Sequence, residues 1–450
     1  MRTVLSLICA LMLITTSNAQ KTLNLDKAIT IALHKNTILQ KSINNLDVTE
    51  SSVRAAVGNF LPILSAGAGW SWNRSEEAGG TINVGGSVIP VPPSTTESRN
   101  FSGNVTARLT LFDGLSNFAA LSQSKNNVES ARLDLQRLKQ DIVFQTITLY
   151  YTVINAKQLL GVREDDLKWN QRNLETVTES NNLGAVTLAD VYSQQVKTGN
   201  SELALIKAQN SFETAKSNLL NYLALDVLED YKFSSDLTAE EQNTLNEKMQ
   251  IDYRNISDLV NKALSVRTDF QSAQLKLESA YNGITIARSG HLPTLSNSFS
   301  YNIRANEFDK FFDSRTYVVG LSLNIPIFSG FRVSNNVQFA EVTAENKQIE
   351  LSDLERSIKL EIQKTYLNLK AADKSLQVNT KNVIAAEETR KIEQERYSLG
   401  SGTLLNVLIA NSDYTTARTN LITAQFEFIR LSKQLEYYLG VLNFNKYENE

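Results

Sequence analysis

Side chains that could carry out chemistry are scarce in this sequence. The 450-residue chain has one cysteine, Cys9, and two histidines, His34 and His291. Cys9 lies in a stretch that we expect to be removed, so the mature chain should form no disulfide and offer no thiolate nucleophile. The histidines lie in different segments without the His-x-x-x-His spacing of a metal site, and we interpret both as surface or packing residues.

Pattern and charge disfavour further classes of function. The sequence has no nucleophile elbow, glycine-rich phosphate loop or metal-ligand spacing, so it does not predict a hydrolase. Lys and Arg number 45 against 48 Asp and Glu, a formal charge of -3, which disfavours a nucleic-acid partner. We therefore predict a protein that is not an enzyme and that has no metal site and no cofactor.

The N-terminus has the pattern of a secretion signal. Arg2 gives a positive start, residues 4–14 form an apolar run, and small residues end at Ala19. We predict a signal peptide over 1–19 and no lipid anchor, because a bulky residue precedes Cys9. No later stretch reaches the roughly 18 apolar residues of a membrane helix. The exported chain is therefore either soluble or spans a membrane as strands.

The positions of proline predict very long helices. Prolines fall only within 62–93 and 293–326, whereas 94–292 and 327–450 contain none and are rich in Ala, Leu, Gln, Glu and Lys. Proline breaks helix interiors and is common in loops, so the proline-free spans are predicted to be helical. Apolar residues at three- and four-residue spacing predict coiled-coil packing, and a helix from about 115 to 182 would be roughly 100 Å long.

A duplication organises the mature chain into two copies of one pattern. Leu183-Gly184 recurs as Leu399-Gly400, 216 residues later. Each copy reads as a helix, two alternating segments and a long helical hairpin closed by the Leu-Gly turn. The predicted organisation is a signal peptide over 1–19; a first repeat over 20–225, with strands about 61–73 and 101–113 and a hairpin about 115–223; a collar or linker over 226–255; a second repeat over 256–440, with strands about 292–304 and 315–328 and a hairpin about 331–439; and a C-terminal tail over 441–450.

The alternating segments predict strands with one apolar and one polar face. In the first segment, Leu64, Ala66 and Trp70 alternate with Ser65 and Gly67. Strands of about ten residues with this pattern are typical of an outer-membrane barrel, whereas a soluble sandwich would have to bury these faces. Four strands cannot close a barrel, and open edges in lipid leave backbone groups unpaired, so we expect other chains to complete it. The segment between the first two strands, residues 74–99, is expected to be an extracellular loop.

The hairpin tips carry the most specific local pattern. Its residues are Arg396, Tyr397, Ser398, Leu399, Gly400 and Thr403, and the first copy repeats Leu183 and Gly184. With the signal, the duplication, the strand pairs and the helical hairpins, this pattern makes the chain resemble the TolC-like outer-membrane efflux protein family over its mature length.

The resemblance implies a fold of mixed α and transmembrane β structure. It implies a homotrimer whose shared 12-stranded outer-membrane β-barrel, with four strands per chain from two tandem repeats, is continued by a long α-helical coiled-coil barrel as a periplasmic tunnel. It also implies a passive outer-membrane exit duct of a tripartite efflux or type I secretion system, with a periplasmic adaptor and an inner-membrane pump as partners. The candidate adaptor-docking residues are Leu183, Gly184, Thr187, Arg396, Tyr397, Leu399, Gly400 and Thr403.

The candidate gate departs from the family pattern. Where the family keeps an acidic ring at the periplasmic constriction, the first copy has Asp190, but the second has Asn406 and Ile409, and Gly402 occupies the family's gate arginine position. Asp190 and Asn406 are the candidate gate residues. Asp190 also follows Thr187 by three residues, the spacing of a helix capping box, which requires no further function. Gate and cap are therefore alternatives for Asp190.

The competing interpretation is a periplasmic adaptor or a structural coiled-coil envelope protein. An adaptor also carries a long helical hairpin between β segments. It would have one hairpin per chain and soluble β domains, whereas this sequence predicts two hairpins and strands of the membrane type.

Overall fold

A computed structural model describes residues 21–234 and 255–447 of the chain. The predicted signal peptide, most of the predicted linker over 226–255 and the last three residues of the predicted tail lie outside the described residues. Within these residues the protein is mostly helical, with two long helical hairpins and one four-stranded antiparallel sheet.

Eight α-helices occur in the described residues. They are α1 Leu25–Lys35, α2 Thr37–Gly58, α3 Ser116–Asn182, α4 Leu188–Tyr222, α5 Ile256–Val266, α6 Thr268–Ser289, α7 Arg332–Ser398 and α8 Leu404–Tyr438. Each hairpin joins a helix of 67 residues to one of 35 residues, α3 to α4 and α7 to α8. The duplication in the sequence is therefore also a duplication of elements with equal lengths.

The strands form one main sheet and two small ones. They are β1 Lys21–Leu23, β2 Ile63–Glu77, β3 Gly80–Val84, β4 Ser87–Val91, β5 Ser94–Phe112, β6 Tyr231–Phe233, β7 Thr294–Ala305 and β8 Arg315–Asn324. The main sheet has the order β2-β5-β7-β8 with every neighbour antiparallel. The small sheets are the β3-β4 hairpin and the parallel pair β1-β6.

The region predicted as a loop over 74–99 is largely extended structure. β2 continues to Glu77 and pairs there with Ser94 of β5, and the intervening chain forms the β3-β4 hairpin. Gly85 and Gly86 have φ of +62° and +92°, the backbone that a tight two-residue hairpin turn requires. The expected irregular structure was wrong because pairing extends through polar residues that lack the apolar alternation used to find strands; the extracellular position of this segment stays a prediction.

The last strand is shorter than predicted. β8 ends at Asn324 rather than near residue 328. Pro326 lies just beyond this end, and proline has no N–H with which to continue a ladder of backbone hydrogen bonds.

The chain divides into two compact units. The first, here called the helical unit, comprises Met1–Ile43, Leu133–Gln271 and Asp353–Glu450, within the limits of the described residues. Its largest core joins α1, α3 and α4 around side chains such as Ile29, Ile154 and Leu220, none of which is more than 1% exposed. Burying a side chain of this size contributes about 1.5–3 kcal/mol, so this core is the main stabilising feature of the unit.

A charged cluster also lies within the helical unit, at the junction between α5 and α6. The guanidinium of Arg267, 3% exposed, donates to Asp269 from Nε at 3.0 Å and from Nη2 at 2.5 Å, and its Nη1 donates to Glu361 at 3.2 Å. Burial raises the pKa of the Asp269 carboxyl, but the hydrogen bonds and charge of Arg267, with the charge of Arg137, outweigh burial and hold that pKa below its ordinary value.

The second unit, here called the strand unit, comprises Asn44–Arg132 and Ser272–Ser352. Its main sheet has two chemically different faces, because residues that pair across antiparallel strands lie on the same face. Trp70 pairs with Phe101, and Val105 pairs with Tyr301, which in turn pairs with Tyr317. These residues belong to an apolar face. Most of its side chains on the two outer strands are exposed, including Leu64, Trp70, Tyr317, Val319, Leu321 and Leu323.

The opposite face of the sheet is polar and carries small side chains. Its rows include Ser65 with Thr106, whose hydroxyl oxygens lie 2.6 Å apart, and Gly69 with Ser102. The period-two alternation predicted for the strands is therefore present as two separate faces. Among the described residues, no helix combines the length and the apolar composition needed to cross a membrane.

Candidate functional site at the hairpin tips

Both hairpin tips turn through the same backbone motif. At the first tip, the N–H of Gly184 donates to the carbonyl of Asn181 and the N–H of Ala185 to that of Ser180, each at 2.8 Å. This pair of bonds is the Schellman arrangement, which ends a helix with a left-handed residue. Gly184 accordingly has φ of +75°, and a Cβ placed there would meet no atom within 4 Å. The glycine is required by backbone conformation rather than by space.

The second tip repeats this geometry. The N–H of Gly400 donates to the carbonyl of Tyr397 at 3.0 Å, and the N–H of Ser401 donates to that of Arg396 at 2.8 Å. Gly400 has φ of +71° and the same open surroundings. The Leu-Gly repeat in the sequence therefore corresponds to one turn geometry used twice.

The returning helix of the first tip begins with a capping box. The N–H and the hydroxyl of Thr187 donate to Oδ2 of Asp190 at 3.0 and 2.7 Å, and the N–H of Asp190 donates to the Thr187 hydroxyl at 3.3 Å. At the second tip, the N–H of Asn406 donates to the Thr403 hydroxyl at 3.3 Å. The capping interpretation of Asp190 is thus confirmed.

Several of the candidate docking side chains at the tips are exposed. The side chains of Leu183 and Leu399 are 85% and 81% exposed. Arg396 is also exposed and donates to Glu393 at 2.8 Å. Leu183 and Leu399 are covered by none of the residues that the structure describes, and they present two similar apolar contacts at the tips.

The structure brings the two tips into contact. Val177 of α3 and Val191 of α4 form a buried cluster with Leu404 and Leu408 of α8, and Tyr397 of α7 packs against its edge. Burial raises the pKa of the Tyr397 hydroxyl, and the negative charge of Asp190 raises it further. Asp190 is therefore close enough to Tyr397 for its charge to act on the Tyr397 hydroxyl, although the two residues belong to different hairpins.

A buried polar network that the sequence did not reveal joins three helices of the helical unit. The carboxylate of Asp166 on α3 accepts from Ser201 on α4 at 2.7 Å and from Asn411 and Thr415 on α8 at 3.0 and 3.1 Å. Asn411 is 1% exposed. Burying such groups costs free energy unless they are hydrogen-bonded, so this network favours one register between α8 and the first hairpin. The available signal was polar residues at otherwise apolar helical positions.

The candidate residues form no metal site within the part of the chain that the structure describes. Across residues 21–234 and 255–447, no group of three or more His, Cys, Asp or Glu side chains is placed to hold a metal ion. The chemistry available at the tips is apolar contact, hydrogen bonding and the charge of Asp190.

Comparisons with known proteins agree along the length of the chain. A model of the outer membrane efflux protein family matches residues 28–225 and 259–441. Outer membrane protein TolC of Salmonella enteritidis is 22% identical over 456 residues, covering 98% of this chain and 87% of the relative. The proteases secretion protein PrtF of Dickeya chrysanthemi is 22% identical over 422 residues, covering 92% and 87%. The solved structure of CusC, a protein that forms a transmembrane channel, superposes with a TM-score of 0.80 at 16% identity and covers 92% of each chain.

Proposed function

The chain belongs to the outer membrane efflux protein family and is an outer-membrane exit duct of a Gram-negative bacterium, and we propose from this premise that three copies build one duct. Each copy would contribute four strands to a shared 12-stranded barrel and two helical hairpins to a periplasmic tunnel. Substrates would pass through it passively, driven by an inner-membrane pump that a periplasmic adaptor connects to the hairpin tips.

The observation that carries this proposal is the open, two-faced sheet. Within the described residues, β2 and β8 each have one neighbour in the main sheet, so both edges are unpaired. Backbone groups left unpaired in lipid cost several kcal/mol each, and four strands are too few to curl into a closed barrel. Pairing β8 of one copy with β2 of the next would satisfy both edges, and three copies reach a number of strands that can close.

Two apolar stripes on the helices support the same assembly. Side chains that are each more than half exposed follow one face of α4, and a second such row follows one face of α7 within the helical unit. The α4 stripe is Leu188, Tyr192, Val196, Leu203 and Ile206; the α7 stripe is Leu360, Leu367, Val378 and Ile392. Two different unpartnered patches suit a head-to-tail contact, which closes into a ring when the rotation allows it.

The tips supply the proposed docking and gating contacts. The exposed Leu183 and Leu399 would bind the adaptor through apolar contact. Asp190 would contribute one carboxylate from each copy to a ring at the constriction, beside the neutral Asn406. Opening would separate Tyr397 from Asp190, so the contact between hairpins favours the closed form.

Conductance and export test the proposal together. Purified protein inserted into a planar bilayer should give uniform single-channel steps, and the gene should restore export to a cell that lacks its own exit duct when the matching adaptor and pump are present. A monomer that neither conducts nor supports export would contradict the assignment. An adaptor would instead bind a separate outer-membrane channel, which co-purification would detect.

A further inference from the structure

We propose that Arg108 and Arg304 give the strand-lined section of the duct a positive lining that favours anionic solutes. This inference rests on the proposed function, because it takes the polar face of the main sheet as the water-filled lumen. The candidate substrate class is solutes that carry net negative charge, recognised by electrostatic attraction along the wall rather than by a closed binding pocket.

Both arginines lie on the polar face. Arg108 of β5 pairs with Ser298 of β7, and Arg304 of β7 pairs with Ser102 of β5. Their rows on the sheet otherwise hold small or uncharged residues, since Gly320 pairs with Ser298 and Gly69 pairs with Ser102. Ile63 of the edge strand β2 also pairs with Arg108, so one large apolar side chain stands in that row. The partners of both arginines on the β5-β7 ladder are serines, which are too small to cover the guanidinium groups.

Within the part of the chain that the structure describes, no acidic side chain balances them near their own rows; Glu77, which pairs with Ser94 on the same face, lies eight residues along β5 from Ser102, the partner of Arg304. Among the described residues, the polar face between Ile63 and Asn73 on β2, Ser98 and Thr110 on β5, and the paired lengths of β7 and β8 holds no other charged side chain. Arg108 and Arg304 are both exposed, and neither has an ion pair or side-chain hydrogen bond with any described residue. Their charge is thus available to solutes.

The two arginines lie far enough apart along the strands to act independently. Six residues of strand separate the row of Arg108 from that of Arg304, which is about 20 Å at the rise of a β-strand. The Debye length at physiological salt is about 8 Å, so each arginine controls the potential near its own row. Three copies would give two rings of three positive charges, and side chains that face the lumen of such barrels set their selectivity.

The test measures local potential with charged thiol reagents. The mature chain has no cysteine if the leader is removed, because Cys9 is the single one, so a lone cysteine can be placed beside each arginine. Ser298→Cys probes the row of Arg108, and Ser102→Cys probes the row of Arg304. The measurement is the ratio of reaction rates with an anionic and a cationic methanethiosulfonate of similar size, in trimers reconstituted into vesicles. A change in the thiol pKa alters both rates equally and cancels in the ratio.

The expected pattern is reciprocal. Arg108→Ser should lower the anion-to-cation ratio at Ser298→Cys by about threefold or more, and should leave the ratio at Ser102→Cys nearly unchanged. Arg304→Ser should do the opposite, and Arg108→Lys should keep the original ratio at Ser298→Cys. Reagent access with ratios that do not respond to the arginines would overturn this inference alone. Cysteines that neither reagent reaches would show that the polar face lines no aqueous lumen, and would overturn the proposed duct as well.

Discussion

Asp190 connects the cap of one helix to the side chain of another hairpin. Its Oδ2 accepts two hydrogen bonds from Thr187, and its charge contributes to the raised pKa of the Tyr397 hydroxyl. The Thr-x-x-Asp spacing was sufficient to predict the cap, because a capping box is a local interaction. The electrostatic effect of Asp190 on Tyr397 could not be predicted, because it depends on how the two hairpins pack against each other.

Asp190→Asn separates the two roles. Thr187 remains the N-cap, and the side-chain oxygen of an asparagine at position 190 can still accept from the Thr187 N–H, so the helix should keep its start while the carboxylate ring is lost. Since three nearby carboxylates attract cations and repel one another, we expect lower cation preference and weaker pH dependence of single-channel conductance in a planar bilayer. Thr187→Ala is the matched control, since it breaks the cap and keeps the charge. If conductance, selectivity and pH dependence of Asp190→Asn equal those of the wild type, Asp190 is only a cap.

Asp269 gives the helical unit a stability that depends on pH. Its pKa is lowered in the folded chain, so its ionised form stabilises the fold above about pH 3.9, the ordinary pKa of aspartate. This contribution is lost as pH falls through the lower pKa of the folded state. Asp269→Asn should cost about 3 kcal/mol at pH 7, near the low end for a broken buried ion pair because Glu361 still contacts Arg267.

The measurement is the thermal midpoint of the helical circular dichroism signal at pH 7 and pH 3. The wild type should lose more stability than Asp269→Asn over this interval. Asp165→Asn is the control. It removes a carboxylate that is 59% exposed and forms an ion pair with Arg418, so the stability of this variant should fall between pH 7 and pH 3 as much as that of the wild type. If the thermal midpoints of all three proteins fall equally between pH 7 and pH 3, Asp269 is not the source of the pH-dependent stability.

Among the elements, the helices were the most predictable. Absence of proline and the repeated Leu-Gly turn predicted hairpins about 115–223 and 331–439, and the structure has them at Ser116–Tyr222 and Arg332–Tyr438. The β3-β4 hairpin was missed because Gly80, Gly85 and Gly86 read as loop residues in the sequence. The Asp166 network was missed because Asn411 and Thr415 of α8 lie far from Asp166 in the chain.

Gly400→Val tests the requirement for a left-handed residue at the second tip. A residue with a Cβ at φ of +71° is strained by about 1 kcal/mol or more, and the strained turn should displace Leu399 from the proposed docking surface. We expect export to be lost while trimers assemble normally in detergent. Gly161→Val is the control, because Gly161 lies inside α3 and a Cβ there meets no atom within 4 Å. Normal export by Gly400→Val would show that docking does not require the left-handed turn at Gly400.

The β3-β4 hairpin, rather than the neighbouring segment around Thr95, is the place to test strand topology by insertion. Thr95 pairs with Glu76 inside β5 and β2, so an insertion there would disturb the main sheet. An epitope placed between Gly85 and Gly86 enters a turn whose surroundings are open, and turns tolerate insertions well. Antibody should bind intact cells that carry it. Binding only after the outer membrane is opened would mean that the strands run in the opposite sense.

At the scale of the whole molecule, the single chain leaves two kinds of surface without partners. Within residues 21–234 and 255–447, the main sheet has two open edges, and α4 and α7 each carry an apolar stripe. The sequence predicted the need for other chains from the number of strands alone. It could not predict the stripes, because apolar residues on a coiled-coil helix do not reveal which rows pack within the chain and which face another copy.

Native mass spectrometry of the mature protein, released gently from detergent, tests the shared duct most directly. In the proposed assembly three copies close the edges of the main sheet and cover both stripes, so the spectrum should be dominated by a species of three times the chain mass. That species should convert to monomer only after heating in denaturing detergent, with loss of its β-sheet signal. A folded monomer that is stable in detergent and retains the four-stranded sheet would contradict the shared barrel.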